Sequence, residues 1–472
     1  MAGPFIRPRV SEAAGLGTIR RPASRLQNRC AVARVPKGSA ADAGWTVHQR
    51  DGTLKFWPRD QADEDGRMAL RGSSAFFDSD WTRTLVDPQA FAHEQRCLAY
   101  VWTFLGFAHD VAKDGDWFRT TLATRSVFVQ RFGSELKGFE NVCAHRFYPL
   151  RTKDKGNGPI VCGFHHWRYD HDGAAIGIPK CQENFGTVSR ALGARLNPIE
   201  IATCGALVFG RFPAPVKRES LAEFLGPGFP IVAALSRSRS TPRTLSMPVA
   251  ANWRLNLHIS LDDYHTVALH PTTFGKSGHV RREDISYVRF GLHSAFLNTS
   301  KPDALAEMSA ACADGSFRAT HYCIFQILPN LIVALFRSDG EFFHCYVQQS
   351  VPMAHDRSVQ RIRVHPAPFP ADHAWPARLI RPLSDPIRNR LLPHYVRRVG
   401  REDNEACERL QAVAHQIERP PYLAALEERI GWFEQSYREL VAGGEEMLKE
   451  ISARDSRKLS PPPSGPCGRG TG

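Results

Sequence analysis

The sequence predicts an α+β protein: a small all-β module, then a larger domain that combines strands with helices. Three observations lead there. Short apolar strands separated by turn signals every 8–12 residues or so run from about residue 101 to 212. A second strand-rich stretch, Phe317 to Val364, is followed by three helical stretches. At 472 residues and 42% hydrophobic composition, the chain can bury a large core and divide into two domains.

Residues 1–44 hold Pro, Gly, Ala, Ser and Arg without apolar periodicity and are expected to be a disordered basic tail. No apolar core segment follows Arg20-Arg21, which argues against an export signal; the Arg-rich, acid-poor make-up has a mild likeness to an organelle transit peptide. The first domain, 45–212, opens with a helix near Pro88–Tyr100 that leads into the apolar strand 101–106. Gly115-Asp116-Trp117 reads as a turn before the alternating Ser126–Phe132, and Gly133 and Gly138 punctuate the next hairpin. Residues 213–230 form a linker with a short helix, and the second domain covers 231–452. Its strands are expected at 322–327, 331–336 and 343–351, with Asp339-Gly340 as a hairpin turn. Helices follow over 386–399, 402–417 and 422–451, and the tail 453–472, with Pro461-Pro462-Pro463, should be disordered.

The net charge of +13 suggests nucleic acid until its distribution is considered. Residues 1–44 carry eight Lys/Arg against two acids and residues 453–472 four against one, leaving +4 for the middle. Nucleic-acid binding is therefore not expected. No apolar run approaches the roughly 20 residues that span a membrane. The longest, Cys323–Phe336, is broken by Gln326, Pro329 and Asn330 and reads as buried strand. Of eleven cysteines only Cys143 and Cys162 have ligand spacing, so the other nine read as reduced thiols in a reducing, cytoplasmic setting.

Chemistry concentrates in Cys143-Ala-His145 and Cys162-Gly-Phe-His165, sixteen residues apart. Each half offers one thiolate and one imidazole from a short loop, so two loops can grip one metal group from two sides. A structural zinc site uses the same ligands, but zinc fingers usually run C-x2-4-C then H-x3-5-H. A [2Fe–2S] centre with cysteines on one iron and histidines on the other suits the mixed order, and its neutral imidazoles raise the potential above that of an all-Cys cluster. The motifs C-x-H-R and C-x-x-H-G-W-x-[YF]-[DN]-x-x-G appear here as Cys143–Arg146 and Cys162–Gly173. On them the chain resembles the Rieske non-haem iron oxygenases, the large (alpha) oxygenase subunits of aromatic-ring hydroxylases and related monooxygenases. His166 stands where that family usually has Gly and leaves two neighbouring imidazoles open, the spacing favouring His165. Phe147, Tyr148 and Phe164 leave no room for the bracing disulfide of respiratory-chain Rieske proteins.

Downstream, Asn252-Trp253-Arg254 and Asp262-Asp263-Tyr264-His265-Thr266-Val267-Ala268-Leu269-His270-Pro271 resemble the family's N-W-K … D-x-x-H-x4-H, the site of a mononuclear iron. Asp262 and His265, three apart, would share a helix face. His265 and His270, five apart, lie about 140° from each other on an ideal helix, so a π-bulge or local unwinding is expected. Two histidines at this spacing are by themselves ordinary surface or core residues; the surrounding motif carries the metal reading. His258 lies too far back along the helix to share the iron and reads either as a neighbour of the site or as packed. A 2-His-1-carboxylate triad leaves positions open for O₂ and substrate. Within Arg401–Gln411 the resemblance assigns the carboxylate to Asp403, with Glu402 and Glu405 as rivals; the ordinary alternative is that Glu402 and Asp403 cap a helix.

The resemblance implies a [2Fe–2S] cluster on Cys143, His145, Cys162 and His165, and Fe(II) on His265, His270 and Asp403. It implies that the larger domain is a helix-grip fold, an antiparallel sheet with helices, whose cavity holds substrate beside the iron. The activity implied is that of a terminal oxygenase component that uses O₂ to mono- or dioxygenate an aromatic or similarly apolar substrate. Electrons would come from NAD(P)H only indirectly, through a reductase with or without a ferredoxin, since the sequence has no glycine-rich dinucleotide fingerprint. The implied assembly is a homotrimer, with or without a small beta subunit, in which Asp262 bridges His265 to His165 of the partner subunit. Asp263 is the next candidate for that bridge, and a solvent-facing aspartate the ordinary alternative. Two other classes stay open: an electron carrier or scaffold with the cluster but no active iron, and a zinc-stabilised interaction module.

Overall fold

The computed structural model describes residues 45–50, 53–58, 76–78, 80–216, 218–238, 242–274, 280–338, 342–367 and 375–459. The N-terminal tail, the Asp339-Gly340 turn and the triple proline lie outside these residues. The chain divides into two units, and in the first, residues 1–69, β1 (Trp45–Arg50) and β2 (Thr53–Pro58) pair antiparallel.

The second unit begins with α1 (Arg83–Val86) and α2 (Pro88–Leu98). Asp87 caps α2 by accepting from Gln89 N–H at 2.8 Å, and Pro88 fills the first position, where no N–H is needed. There follow β3 (Thr103–Phe107), β4 (Asp116–Leu122), β5 (Arg125–Phe132), β6 (Glu135–Glu140), β7 (Lys155–Asn157), β8 (Ile160–Val161), β9 (Arg168–Tyr169), β10 (Ala175–Gly177), the short α3 (Cys181–Phe185), β11 (Pro198–Cys204) and β12 (Leu207–Arg211). They form a seven-stranded sheet, order β3-β12-β11-β6-β5-β4-β7, and a three-stranded one, β10-β9-β8. The expected turn at 115–117 is shorter than predicted, because Asp116 already begins β4. Gly133 makes the hairpin turn with φ +58°, whereas Gly138 lies inside β6: a Cβ there would stand 2.6 Å from Ile201 of β11, so close packing and not a turn requires it.

Ser220 and Glu223 form a reciprocal capping box on α4 (Leu221–Leu225), and α5 (Gly228–Leu235) follows. Next come β13 (Arg243–Val249), α6 (Trp253–Leu261), α7 (Thr266–Leu269), β14 (Ser286–Phe290), β15 (His293–Leu297), α8 (Ala304–Asp314), β16 (Cys323–Ile327), β17 (Leu331–Ser338), β18 (Phe342–Ala354), β19 (Arg357–Pro366), α9 (Trp375–Val413) and α10 (Glu428–Leu459). The strands make one antiparallel sheet in the order β13-β19-β18-β17-β16-β15-β14. The architecture is α+β, an all-β domain joined to a larger antiparallel sheet with helices.

Alternation along β17 shows why its sequence is apolar throughout. Ile332 and Ala334 face a core with Trp253, Leu257 and Leu261 of α6 and Phe433 and Tyr437 of α10. Leu331, Val333 and Leu335 face the opposite core, which holds Leu225, Ile231 and Leu235 of α4 and α5 and continues to Trp102, Phe104, Leu207 and Phe209 of the first sheet. A strand covered on both faces needs apolar residues at both parities.

The C-terminal helices differ from expectation. A single helix, α9, replaces the two predicted over 386–417, because Gly400 does not stop it: a Cβ there would come within 2.6 Å of Met247 Cε, so α9 rests directly on β13. Glu402 and Asp403 are therefore mid-helix and cap nothing. Helix α10 runs to Leu459, so the first residues of the tail expected from 453 are helical.

His293 joins the α4 region to this sheet. Leu328 N–H donates to its Nδ1 at 3.2 Å, which leaves the proton on Nε2 to donate to Phe224 O at 2.9 Å. Burial pushes the imidazole down to about 4 from 6.5, the Phe224 hydrogen bond opposing. The unfolded chain thus takes a proton that the native state refuses, and stability should fall by about 3 kcal/mol as pH drops from about 6.5 to about 4. Urea midpoints at pH about 7 and 5 check this; His293→Gln should show a flatter pH dependence, and an equal slope in both proteins would refute it.

Candidate metal centres

Two loops of the same build hold the first donor set. The N–H of Cys143 donates to Tyr148 O and that of Cys162 to Trp167 O, both at 2.9 Å. Four residues past each cysteine, the N–H of Phe147 and of His166 returns to the cysteine carbonyl at 3.0 Å. Phe147 and His166 both take left-handed backbones, φ +58° and +56°. His166 thus adopts a conformation that glycine would hold without strain, and its side chain is exposed. His165 instead turns toward His145, with ring centroids 4.7 Å apart, while His145 stacks on Trp167 at 4.7 Å and 4°.

The Nδ1 atoms of His145 and His165 are buried without a hydrogen-bond partner, the state expected of atoms whose partner is a metal. The Cys162 thiol is raised by burial first, with its contact to Cys143 adding to it. Tyr169 OH accepts from Ala144 N–H at 3.2 Å and lies 3.0 Å from Cys143 Sγ, within reach to donate to it when that sulfur is a thiolate. Two thiols and two partnerless imidazole nitrogens between twin loops fit a two-iron cluster.

The second donor set arises where a helix breaks. Helix α6 ends at Leu261, and Asp262 is extended, φ −98° and ψ 111°. Its Oδ1 accepts from the N–H of Tyr264 at 2.7 Å and of His265 at 3.0 Å, starting a fresh turn, α7. This corrects the expectation that Asp262 and His265 share a helix face: a capping turn brings them together. The same unwinding sets His265 Nε2 3.3 Å from His270 Nε2. Helix α9 then brings Asp403 Oδ1 to 3.5 Å from His265 Nε2 and 2.9 Å from His270 Nε2. Three donors about 2.1 Å from one cation stand about 3.0 Å apart at right angles and about 3.4 Å apart in a tetrahedron, so these can reach a common ion. Asp403 Oδ1 is buried and makes no well-formed hydrogen bond, and the two-imidazole, one-carboxylate set suits Fe(II).

The rivals have other partners. Glu402 Oε2 lies 2.7 Å from His270 Nδ1 and accepts from Thr273 Oγ1 at 2.9 Å, so it faces the far nitrogen of that ring and orients it. Glu405 is exposed and pairs with Arg409. Asp263 is turned inward, where Tyr287 OH donates to it at 2.7 Å. His258 lies 2.6 Å from Glu434, which also pairs with Arg254. Asp262 keeps Oδ2 3.5 Å from His265 Nδ1, longer than a good hydrogen bond.

Burial disfavours a charged His265, yet Asp262 and Asp403 outweigh it and push the imidazole up to about 10. His270 is likewise raised against burial, by Asp403 and Glu402. A site that draws protons this strongly suits a cation. Beside it lies a cavity of about 1030 Å³ whose wall includes Phe77, Trp81, Leu85, Leu255, Ile259 and Leu410 together with Asp262 and His265. Neither the Glu402–His270 pair nor the Tyr169 contact to Cys143 carries a local sequence signal, since each joins residues far apart in the chain.

An all-β domain with paired Cys/His loops, joined to a helix-covered sheet with a two-His-one-carboxylate cluster, defines a class of two-centre iron proteins. Residues 101–197 match the Rieske [2Fe-2S] domain, and residues 237–443 match the ring hydroxylating alpha subunit (catalytic domain). The chain belongs to the Rieske non-haem iron oxygenases, among the large oxygenase subunits of dioxygenases and monooxygenases. It is 27% identical to the salicylate 5-hydroxylase large oxygenase component of Ralstonia sp, over 46% of this chain and 55% of that protein. It is also 27% identical to the glycine betaine monooxygenase oxygenase subunit of Chromohalobacter salexigens, over 39% and 41%. The chain spans about half the length of these curated relatives. Its fold is similar to that of naphthalene 1,2-dioxygenase from Rhodococcus sp. bound to indole, with a TM-score of 0.61 and 17% identity over 80% of this chain and 98% of that one. Among the described residues no helix is long and apolar enough to cross a membrane.

Proposed function

We propose that the chain is a terminal oxygenase component that hydroxylates an aromatic or similarly apolar substrate with O₂. In this reading Cys143, His145, Cys162 and His165 hold a [2Fe–2S] cluster, and His265, His270 and Asp403 hold Fe(II). When bound, the two groups supply one-electron transfer and O₂ activation. The observation that carries the reading is the meeting of three donors, two flanking α7 and one on α9, beside a largely apolar cavity. A carrier or scaffold needs no such pairing.

The chain's own residues have definite tasks. Glu402 holds the proton of His270 on Nδ1 and so presents Nε2 to the metal. Asp262 holds the turn that aims His265 and keeps Oδ2 free beside Nδ1, where it can bridge to His165 of the partner subunit in a homotrimer. The rings of Phe77 and Trp81 shape a cavity wall that favours an apolar ligand over water. Phe147 and Phe164 stand exposed beside the cluster loops, an apolar rim for a reductase, a ferredoxin or a neighbouring subunit. A small beta subunit is compatible with this arrangement. The nine cysteines among the described residues are all unpaired thiols, which supports a cytoplasmic setting.

Metal analysis with single-turnover chemistry tests the proposal. About three irons and two labile sulfides per chain, and an oxygenated product when the reduced protein meets an aromatic panel and O₂, are expected. About two irons and no product would leave only the carrier. Asp262→Asn should retain iron and sulfide yet slow reduction of the mononuclear iron by about 10–100-fold. Stopped-flow traces equal to wild type would discard the bridge.

A further inference from the structure

Away from both centres, α2 and α10 cross with almost no space between them. A Cβ on Gly444 would lie 2.4 Å from Cys97 O and 2.6 Å from Cys97 Cβ. At this crossing His93 and Cys97, one turn apart on α2, face Glu445 of α10. His93 Nε2 lies 2.9 Å from Glu445 Oε1 and 3.7 Å from Cys97 Sγ, and the three donors all lie within 4.8 Å of one another.

We propose that His93, Cys97 and Glu445 form a further metal site, with a donor set suited to zinc, that ties α2 to α10 independently of the two iron centres. Zinc accepts all three donor types, whereas magnesium and calcium do not take thiolate. A tetrahedral zinc with Zn–S of about 2.3 Å and Zn–N of about 2.0–2.1 Å sets sulfur and nitrogen about 3.6 Å apart, close to the separation observed. One thiolate, one carboxylate and a neutral imidazole balance a dication, so the site carries no net charge at a helix junction. His93 and Glu445 side chains are 45% and 42% exposed, which leaves the fourth position to water.

The thiol has no competing task. Burial, and then the Glu445 carboxylate, push it up to about 11, which makes it a poor nucleophile but leaves it able to yield its proton to a metal. Capture releases the Cys97 proton to solvent and shifts the His93 proton from Nε2 to Nδ1. The exposed Arg96 guanidinium, 3.4 Å from that Nδ1, then turns outward. A plain ion pair between His93 and Glu445 would hold the helices without a sulfur aimed at the same point.

Cobalt(II) is the probe, with full-length cluster-loaded protein in an Asp403→Ala background so that the catalytic triad does not compete. One cobalt per chain is expected, with a sulfur-to-cobalt charge-transfer band in the difference spectrum that zinc erases. Cys97→Ser should lose the band, and His93→Gln and Glu445→Gln, both on partly exposed side chains, should weaken cobalt binding by more than about 100-fold, beyond what loss of an orienting partner costs. Zinc should raise the melting midpoint of the parent but not of Cys97→Ser. No band in the parent, or a band kept in Cys97→Ser, overturns the site. Should Cys97→Ser fail to fold, unchanged affinity in both other variants overturns it.

Discussion

Replacing Asp403 with alanine should empty the mononuclear site and abolish oxygenation while the visible spectrum of the cluster persists. Its Oδ1 is the anionic donor that approaches both His265 Nε2 and His270 Nε2, and without it two neutral imidazoles alone face the ion. Removal of an orienting partner already lowers metal affinity by about 10–100-fold, so loss of the ligand itself should exceed about 100-fold. Stability should change little in the metal-free state. Burial works against ionised Asp403, and its two histidines hold its carboxyl low, so deletion removes a buried charge while Asp262 and Glu402 stay beside the two rings. Asp403→Asn should behave alike, because the amide keeps the shape but not the charge. Full iron content with wild-type turnover in either variant would return the ligand question to Glu402 and with it the orientation of His270.

The largest effect on stability is expected at Glu434. Arg254 of α6 and Glu434 of α10 form a buried pair, their side chains 3% and 2% exposed. Arg254 Nε donates to Glu434 Oε1 at 3.2 Å, the guanidinium stacks 4.4 Å over Tyr437, and His258 completes the carboxylate's contacts. Burial alone would raise Glu434, but Arg254 and His258 hold it low. Glu434→Leu strands a guanidinium in the interior and should cost about 3–5 kcal/mol. The double replacement Arg254→Met with Glu434→Leu should recover most of that loss, because a buried pair gives little net stability over apolar residues of like volume. Urea midpoints of the three variants decide it: a double variant no better than the single would show that the pair itself stabilises the fold. Since α6 runs straight into Asp262, the single variant should also bind iron more weakly.

How much was legible in the chain depends on how local each signal is. Each cluster loop spans only a few residues, so Cys143-Ala-His145 and Cys162-Gly-Phe-His165 are visible without a structure. The break at Asp262 is half visible: the five-residue step between His265 and His270 demands an irregularity, but not that Asp262 itself makes it by capping two backbone N–H groups. Asp403 is reached from sequence through resemblance alone, because only folding brings α9 to α7. Gly138 reads as a hairpin break and is a close contact instead, and Gly400, in the gap between two expected helices, is another; a side chain from a distant strand sets each, Ile201 and Met247. Strand β4 escaped because its pattern, Asp-Trp-Phe-Arg-Thr-Thr-Leu, begins at an evident turn and alternates imperfectly.

The apolar seam running from Trp102 and Phe209 through Leu225 to Val333 bears on how this polypeptide can be dissected. A fragment ending near residue 212 would present those rings to water and clump rather than serve as a free-standing ferredoxin mimic. Electron-transfer studies therefore call for point substitutions in the intact chain, with each half serving as the other's scaffold.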